Sequence, residues 1–362
     1  MSWLLAFAGF ASLIILHELG HFAAAKAVGM RVERFSLFFG RTPLRFQRGE
    51  TEYGVGWLPL GGFVKITGMN PHEEIPPEAV PRAYYRQPVW KRIVVIAAGP
   101  AVNVLLAFVI LLGLYWISIG DPGKAKPTDR IAEVTPGSPA AKLIKPGDRI
   151  VAVDGLRGDP LKLREQITTH RCAGEQKDGC RAAQPVVLQV SRDGVERTVR
   201  AYPRFDAKSN RPLLGFLFDS TDPPAVGPLR AAELSISQMW FFTRGTVSTI
   251  VQIFKAEKRK DISGVVGTYE VTRQSIELST VRALFLLAVV SLSLGIINLF
   301  PFLPLDGGHI FWAVAEKVRG RAISFSVMER AGFVGFALVI ALFFIGLSND
   351  VGRLTGEGFG VR

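Results

Sequence analysis

Charge is missing from four long stretches of this 362-residue chain. No Asp, Glu, Lys or Arg occurs in residues 1–16, 93–120, 283–305 or 331–349, and the first stretch stays apolar through Phe22 to Ala25. Such runs meet the ~20 apolar residues that a bilayer core demands and exclude an ordinary soluble globule. No Lys or Arg precedes the first run, which argues against a conventional secretory signal. Cysteine is almost absent. Cys172 and Cys180 are the only two, and their spacing permits one small disulfide loop in an oxidising compartment, two unpaired surface thiols, or less readily a metal pair beside His170. No internal repeat and no low-complexity tract is present. Nor does any basic stripe interleave with aromatics, so the net charge of +12 is not read as a nucleic-acid surface, and no nucleic-acid partner is expected.

What is present points to a bundle in a lipid bilayer plus one domain. Hydrophobic residues make up 48% of the chain, with a mean hydropathy of +0.26. The expected segments are a first span at 1–25, a loop at 26–92, a second span at 93–120, an outer domain at 125–220, an interfacial amphipathic region at 228–280, a third span at 281–306 and a fourth at 331–349. The first loop carries Arg31, Arg34, Arg41, Arg45, Arg48, Lys65, Arg82, Arg86 and Lys91, and the connection after the third span carries Lys317, Arg319, Arg321 and Arg330. Short basic loops stay in the cytoplasm. Both termini and the outer domain are then extracytoplasmic. Region 228–280 holds Glu233 and a mid-segment Arg244, which favours a helix lying in the interface. The run Lys255 to Lys260 reads as a solvated face.

His17-Glu18-Leu19-Gly20-His21 lies inside the first span. Histidines four apart share one helix face and can both donate nitrogen to zinc, with Glu18 as the general base for a metal-activated water. Ionisable groups at bilayer depth are costly and argue for function; the competing reading is a polar notch that packs against other helices. A catalytic zinc needs a third protein ligand. Asp306 is the best candidate, an acid after Pro301 and Pro304 with Gly307 and Gly308 behind it, although it could instead cap the following helix. His309 is a rival ligand or a partner to one. His72 reads as surface, and His170 belongs to the outer domain. Close behind the motif come Lys26 and the basic loop, which puts the site toward the cytoplasmic side.

Residues 52–67 mix β-branched and aromatic residues with glycines and read as strands. They suit a sheet that dips into the membrane and offers an edge to an unwound substrate, or else a plain cytoplasmic sheet. In the outer domain, Asp129 to Val134 reads as a strand, Gly137 to Leu143 as the start of a short helix capped by Ser138, Leu161 to Ile167 as a helix, and Val186 to Val190 with Arg197 to Tyr202 as a hairpin about Asp193-Gly194. The Gly137-Ser-Pro-Ala140 and Pro146-Gly-Asp-Arg-Ile150 elements resemble a bacterial PDZ domain, which implies a bound peptide or C-terminus. Residues 169–184 look like an insertion.

Together, His17 to His21, Gly99-Pro-Ala-Val-Asn103 and Asn298 through Gly308, ordered around a PDZ-like domain, resemble the site-2 protease family of intramembrane zinc metalloproteases, closest to the bacterial regulator of sigma-E protease branch. The resemblance implies a polytopic α-helical membrane protein with four transmembrane helices, a membrane-associated β-element and one inserted PDZ-like α/β domain. It implies Zn2+ held by His17, His21 and Asp306, and Glu18 as catalytic acid/base. Asn103 and Asn298 would lie near the substrate or oxyanion, and Gly62, Phe63 and Val64 in the β-element. It further implies the bacterial inner membrane as location, and single-span membrane proteins such as anti-sigma factors as substrates. Val265 stands where the family usually has Pro. A PDZ-containing membrane adaptor with a non-catalytic metal site is the alternative, and a metal or ion transporter a further one, disfavoured because no paired, symmetric broken helices occur.

Overall fold

The computed structural model describes all residues except 71–72, 208, 253–263, 322 and 357–362, so His72 and the run Lys255 to Lys260 lie outside the described residues. Two compact units result, Met1–Ile119 with Val226–Arg362, and Gly120–Ala225.

The first unit is a helical bundle with a small sheet. Among the described residues four helices are long and apolar enough to cross a membrane: α1 (Ser2–Ala27), α2 (Val89–Gly113, continuing as a wider turn over Leu114–Ile119), α6 (Thr280–Asn298) and α8 (Phe325–Thr355). In α1 the buried residues Ala6, Leu13, His17, Gly20, His21 and Ala25 form one stripe, as the helical repeat requires. Helix α2 starts ahead of its charge-free stretch because the cations of its first turn find partners. Lys91 Nζ donates to the Val28 carbonyl (2.9 Å), and Arg92 pairs with Glu316 (2.9 Å) on α7 (Asp306–Arg319).

The described residues of region 228–280 include two helices, α4 (Pro228–Gln252) and α5 (Val265–Leu278). Ala231, Leu234, Met239 and Phe242 of α4 pack with Ala107, Leu111, Phe285 and Leu292 of α2 and α6, and Arg244 lies over the Trp240 ring at 4.7 Å. On α5, the Tyr269 hydroxyl donates to the Trp3 carbonyl (2.8 Å). Val265 is the first residue of α5, and the Gly264 and Gly267 N–H groups donate to the buried Asp350 carboxylate of α8 (3.0 and 2.7 Å). Ile262 and Ser263 lie outside the described residues.

Strands β1 (Val32–Phe39), β2 (Leu44–Arg48), β3 (Thr51–Val55) and β4 (Leu58–Ile66) form a sheet in the order β2-β3-β1-β4, so β4 closes one end. The β2–β3 turn is tied to the end of α1. Glu50 accepts from Arg82 (2.7 and 2.8 Å) and Lys26 (2.9 Å), and these bonds, Arg82's first, hold its carboxyl at about 2.

In the second unit the main sheet runs β12 (Phe216–Ser220), β5 (Pro127–Val134), β6 (Arg149–Val153), β8 (Val186–Arg192), β9 (Val195–Ala201), with β7 (Leu156–Arg157) also on β6. Helix α3 (Pro160–Thr168), capped by Asp159, buries Leu163 and Ile167 against Ile131, Ile150, Val186 and Leu188. The β8–β9 hairpin turns at Asp193 (φ 51°) and Gly194 (φ 83°), the left-handed pair that a two-residue hairpin loop requires. Two features depart from the sequence reading. Residues 136–143 form successive turns and no helix; the Ser138 hydroxyl, instead of capping, donates to the Gly215 carbonyl (3.2 Å). A further hairpin, β10 (Arg204–Asp206) and β11 (Arg211–Leu213), also forms. It braces the 169–184 insertion, which the Cys172–Cys180 disulfide closes: Gly179 N–H donates to Phe205 O, and Phe205 N–H to Cys180 O.

The buried Asp148 carboxylate accepts from Arg192 (2.6 and 2.7 Å) and from Lys145 N–H (2.8 Å), and the Arg192 bonds hold it below the usual carboxylate range. A depressed folded value stabilises above the unfolded value of about 3.9 and is lost as pH falls through the folded one. Asp148→Asn is therefore expected to lower the thermal midpoint of the full chain in detergent at neutral pH, and the gap to the parent should close as pH falls below about 4. Thermal scans from neutral to acid pH check this.

Candidate metal centre

The buried face of α1 brings the His17 and His21 rings side by side, and α7 opens with Asp306 beside them. Nε2 of His17 and Nε2 of His21 are 3.2 Å apart, and Asp306 Oδ2 lies 3.2 Å from the first and 3.3 Å from the second. Four-coordinate zinc with ligands at about 2.0–2.1 Å sets neighbouring ligand atoms about 3.3–3.4 Å apart. The three separations match one face of that tetrahedron. Asp306 Oδ2 is buried and accepts no hydrogen bond, a cost that a cation between the three atoms removes. The residues present fit zinc. Among the described residues these three are the group whose ligand atoms converge, and His309 is outside it.

Each histidine of the trio has a partner behind its ring. His21 Nδ1–H donates to the Val95 carbonyl (2.8 Å), which leaves Nε2 as the lone-pair nitrogen. The Asn103 amide Nδ2 lies 3.2 Å from His17 Nδ1, and the residue is fully buried. The family resemblance sets Asn103 near the substrate or oxyanion; its contact here is with the back of a histidine, which only the tertiary fold reveals. Asp306 does not cap α7, whose N-cap is Leu305; it occupies the first turn, where a carboxylate suits the helix dipole. The expected third span is accordingly shorter than 281–306: α6 ends at Asn298, and residues 299–305 turn before α7 begins. Asn298 is half-buried at that end.

Glycines set the close approaches. A Cβ on Gly20 would come 2.7 Å from the Ala98 carbonyl oxygen, so α1 and α2 cross there; a Cβ on Gly99 would overlap the His21 imidazole. On β4, a Cβ at Gly62 would come 2.9 Å from Glu18 Cγ, so the strand lies directly against the acid of the motif. Phe63 pairs in register with Ser36, and Val64 packs against the cluster of Ala25, Met30 and Val95. His170 is in the second unit, where its Nε2 meets Asp154 Oδ2 at 2.8 Å; Cys172 and Cys180 form a disulfide there and hold no metal.

The sequence pattern of peptidase family M50 matches residues 5–342. The chain belongs to peptidase family M50. It is similar to the zinc metalloprotease Rip1 of Mycolicibacterium smegmatis, 32% identical over 386 residues that cover 94% of this chain and 92% of the relative. Rip1 of Mycobacterium tuberculosis (strain ATCC 35801 / TMC 107 / Erdman) is 31% identical with the same coverage. A Brucella suis biovar 1 (strain 1330) protein is 32% identical over 366 residues, again 94% and 92%.

Because a methyl on Gly99 meets the His21 ring, Gly99→Ala should displace one of the three candidate donor atoms. Divalent metal retained by the purified chain, counted by mass spectrometry, is expected to fall at least ~10-fold at a metal concentration that loads the parent.

Proposed function

We propose that this chain is an intramembrane zinc metalloprotease that hydrolyses a peptide bond within or near the transmembrane segment of single-span membrane proteins. The observation that carries the reading is the trio of donor atoms 3.2–3.3 Å apart, with Glu18 one residue from the first donor. Membership in a peptidase family and the zinc metalloprotease names of its relatives support it.

His17, His21 and Asp306 would hold the zinc. Zinc bound there would supply a Lewis acid and lower the pKa of a water beside it. Glu18 accepts the proton of the attacking water and returns it to the leaving amine. A substrate helix buries its carbonyls in its own hydrogen bonds, so the scissile segment must be extended first. Strand β4 ends its sheet and touches Glu18 through Gly62. A substrate paired along that edge near Phe63 and Val64 gains main-chain hydrogen bonds at the catalytic acid. Exposed Leu44, Phe46 and Trp57 suit a sheet that enters the membrane surface, and Asn298 lies near the substrate path.

The bacterial inner membrane is the proposed location. Both termini and the PDZ-like domain are outside, and the site is toward the cytoplasm, near Lys26 and the basic loop. In the PDZ-like domain β12 is an end strand with Leu217 exposed, which suits capture of an extended peptide or C-terminus. Anti-sigma factors trimmed on the outside are the substrate type that the family resemblance brings. A PDZ-bearing adaptor with a structural metal is the rival, but a structural site has no use for an acid beside it.

Co-expression with a truncated single-span reporter, read by reporter size on a gel, tests this. Glu18→Gln is expected to cut at least ~100-fold more slowly while keeping its zinc; cleavage at the parent's rate would sink the protease reading. Asp306→Ala is expected to lose zinc by metal analysis, and unchanged zinc content would pass the third-ligand role to another group such as His309.

A further inference from the structure

We infer that Asn103 is a positioning residue for zinc: its amide oxygen accepts the His17 Nδ1 proton and so fixes the tautomer that turns Nε2 toward the metal. The inference rests on the zinc reading and assigns Asn103 a task different from contact with substrate.

A neutral imidazole carries one proton on its two nitrogens, and the nitrogen facing the metal must be the bare one. For His21 the choice is made by the Val95 carbonyl, which can only accept and therefore keeps the proton on Nδ1. Among the described residues His17 has no carbonyl in the equivalent place; it has the Asn103 amide, whose Nδ2 lies 3.2 Å from Nδ1. An amide can present either end. With the NH2 end toward the ring, Nδ1 would have to be bare and Nε2 protonated, an N–H aimed at the spot where three donor atoms converge. That arrangement also leaves Asn103 Oδ1 buried and without a hydrogen bond. With the oxygen end toward the ring, Nδ1–H donates to Oδ1, the orphaned oxygen is satisfied, and Nε2 is free for the metal. One rotation of the amide removes both faults.

The surroundings hold the amide for this task. Asn103 is fully buried, and the Ser291 hydroxyl donates to its main-chain carbonyl (2.9 Å). A Cβ on Gly295 would come 3.4 Å from Asn103 Cβ, so α6 packs against α2 at this residue. Gly99, one helical turn earlier on α2, makes room for the His21 ring. A single turn of α2 thus serves both histidines.

The test measures zinc affinity of the full chain in detergent by chelator competition, alongside reporter cleavage, for Asn103→Leu and Asn103→Asp. Leucine has the shape of asparagine but no acceptor. Aspartate keeps an acceptor and cannot donate when ionised. Loss of such a supporting partner costs typically ~10–100-fold in metal affinity, so N103L is expected to fall by that factor. N103D should stay within about threefold of the parent and still cleave. N103L that binds zinc as the parent does but no longer cleaves would overturn the inference and give Asn103 back to the substrate. Should N103L fail to fold, N103D decides by itself: loss of zinc, or zinc kept with cleavage abolished, overturns the inference. A parent chain that takes up no zinc fails the underlying reading as well, and that result is distinct from any difference between variants.

Discussion

Three electron-rich atoms, two imidazole nitrogens and a carboxylate oxygen, sit 3.2–3.3 Å from one another in the interior of the helical unit. With both imidazole nitrogens bare, their lone pairs and the carboxylate oxygen face a common point, which suits a cation there and leaves the buried oxygen without a hydrogen bond otherwise. The bundle is built to enforce this arrangement. Glycines at 20, 99, 307 and 308 remove the side chains that would keep the elements apart. Arg92 and Glu316, largely buried, clamp α2 to the helix that begins with Asp306. A buried ion pair of this kind is a poor source of net stability. Its value is geometric, because it fixes α7 ten residues beyond the carboxylate that the centre needs.

The same crowding decides where the acid goes. Glu18 follows His17 on α1, about 100° from it and about 60° from His21 around the helix, so it lies at the edge of the histidines' face. There it meets β4, where Gly62 offers backbone instead of a side chain. The sheet that receives it is held from the other end by Glu50, bonded to both Arg82 and Lys26. Lys26 is on the last turn of the helix that carries the motif, so the strand edge and the acid are registered to each other through one short piece of chain.

How much of this was legible depends on the reach of each signal. The approach of His17 and His21 could be read because two histidines four apart on one helix, with an acid between them, are a local pattern. Asp306 could be read, about 290 residues away, because an acid at membrane depth beside helix-breaking prolines is costly unless it binds something. The four apolar spans were plain from charge alone. The start of α2 was not, because Lys91 and Arg92 are tolerated there only through partners on other elements. Residues 136–143 misled for a related reason: Ser138 has the composition of a helix cap, but Gly215, distant in sequence, takes its hydroxyl. Asn103 was found as a residue and missed as a contact. Nothing within α2 says that a histidine from α1 will lie against its amide.

The break between α6 and α7 shows why Asp306 is placed at a helix start. A carboxylate in the middle of an apolar helix would face lipid or a neighbour with no backbone donor to spare, whereas first-turn N–H groups are not taken up by the helix's own i→i−4 bonds. The break itself exposes backbone groups, and at membrane depth these must be satisfied within the protein. Residues 299–308 do so locally: Phe302 N–H donates to Phe300 O, Leu305 N–H to Phe302 O and Gly308 N–H to Leu305 O. Gly307 and Gly308 let that turn fold back on Leu299 to Leu303. The chain thus changes direction between α6 and α7 with its polar backbone paired to itself, and the buried side-chain oxygen it leaves unsatisfied, Asp306 Oδ2, faces the two histidines.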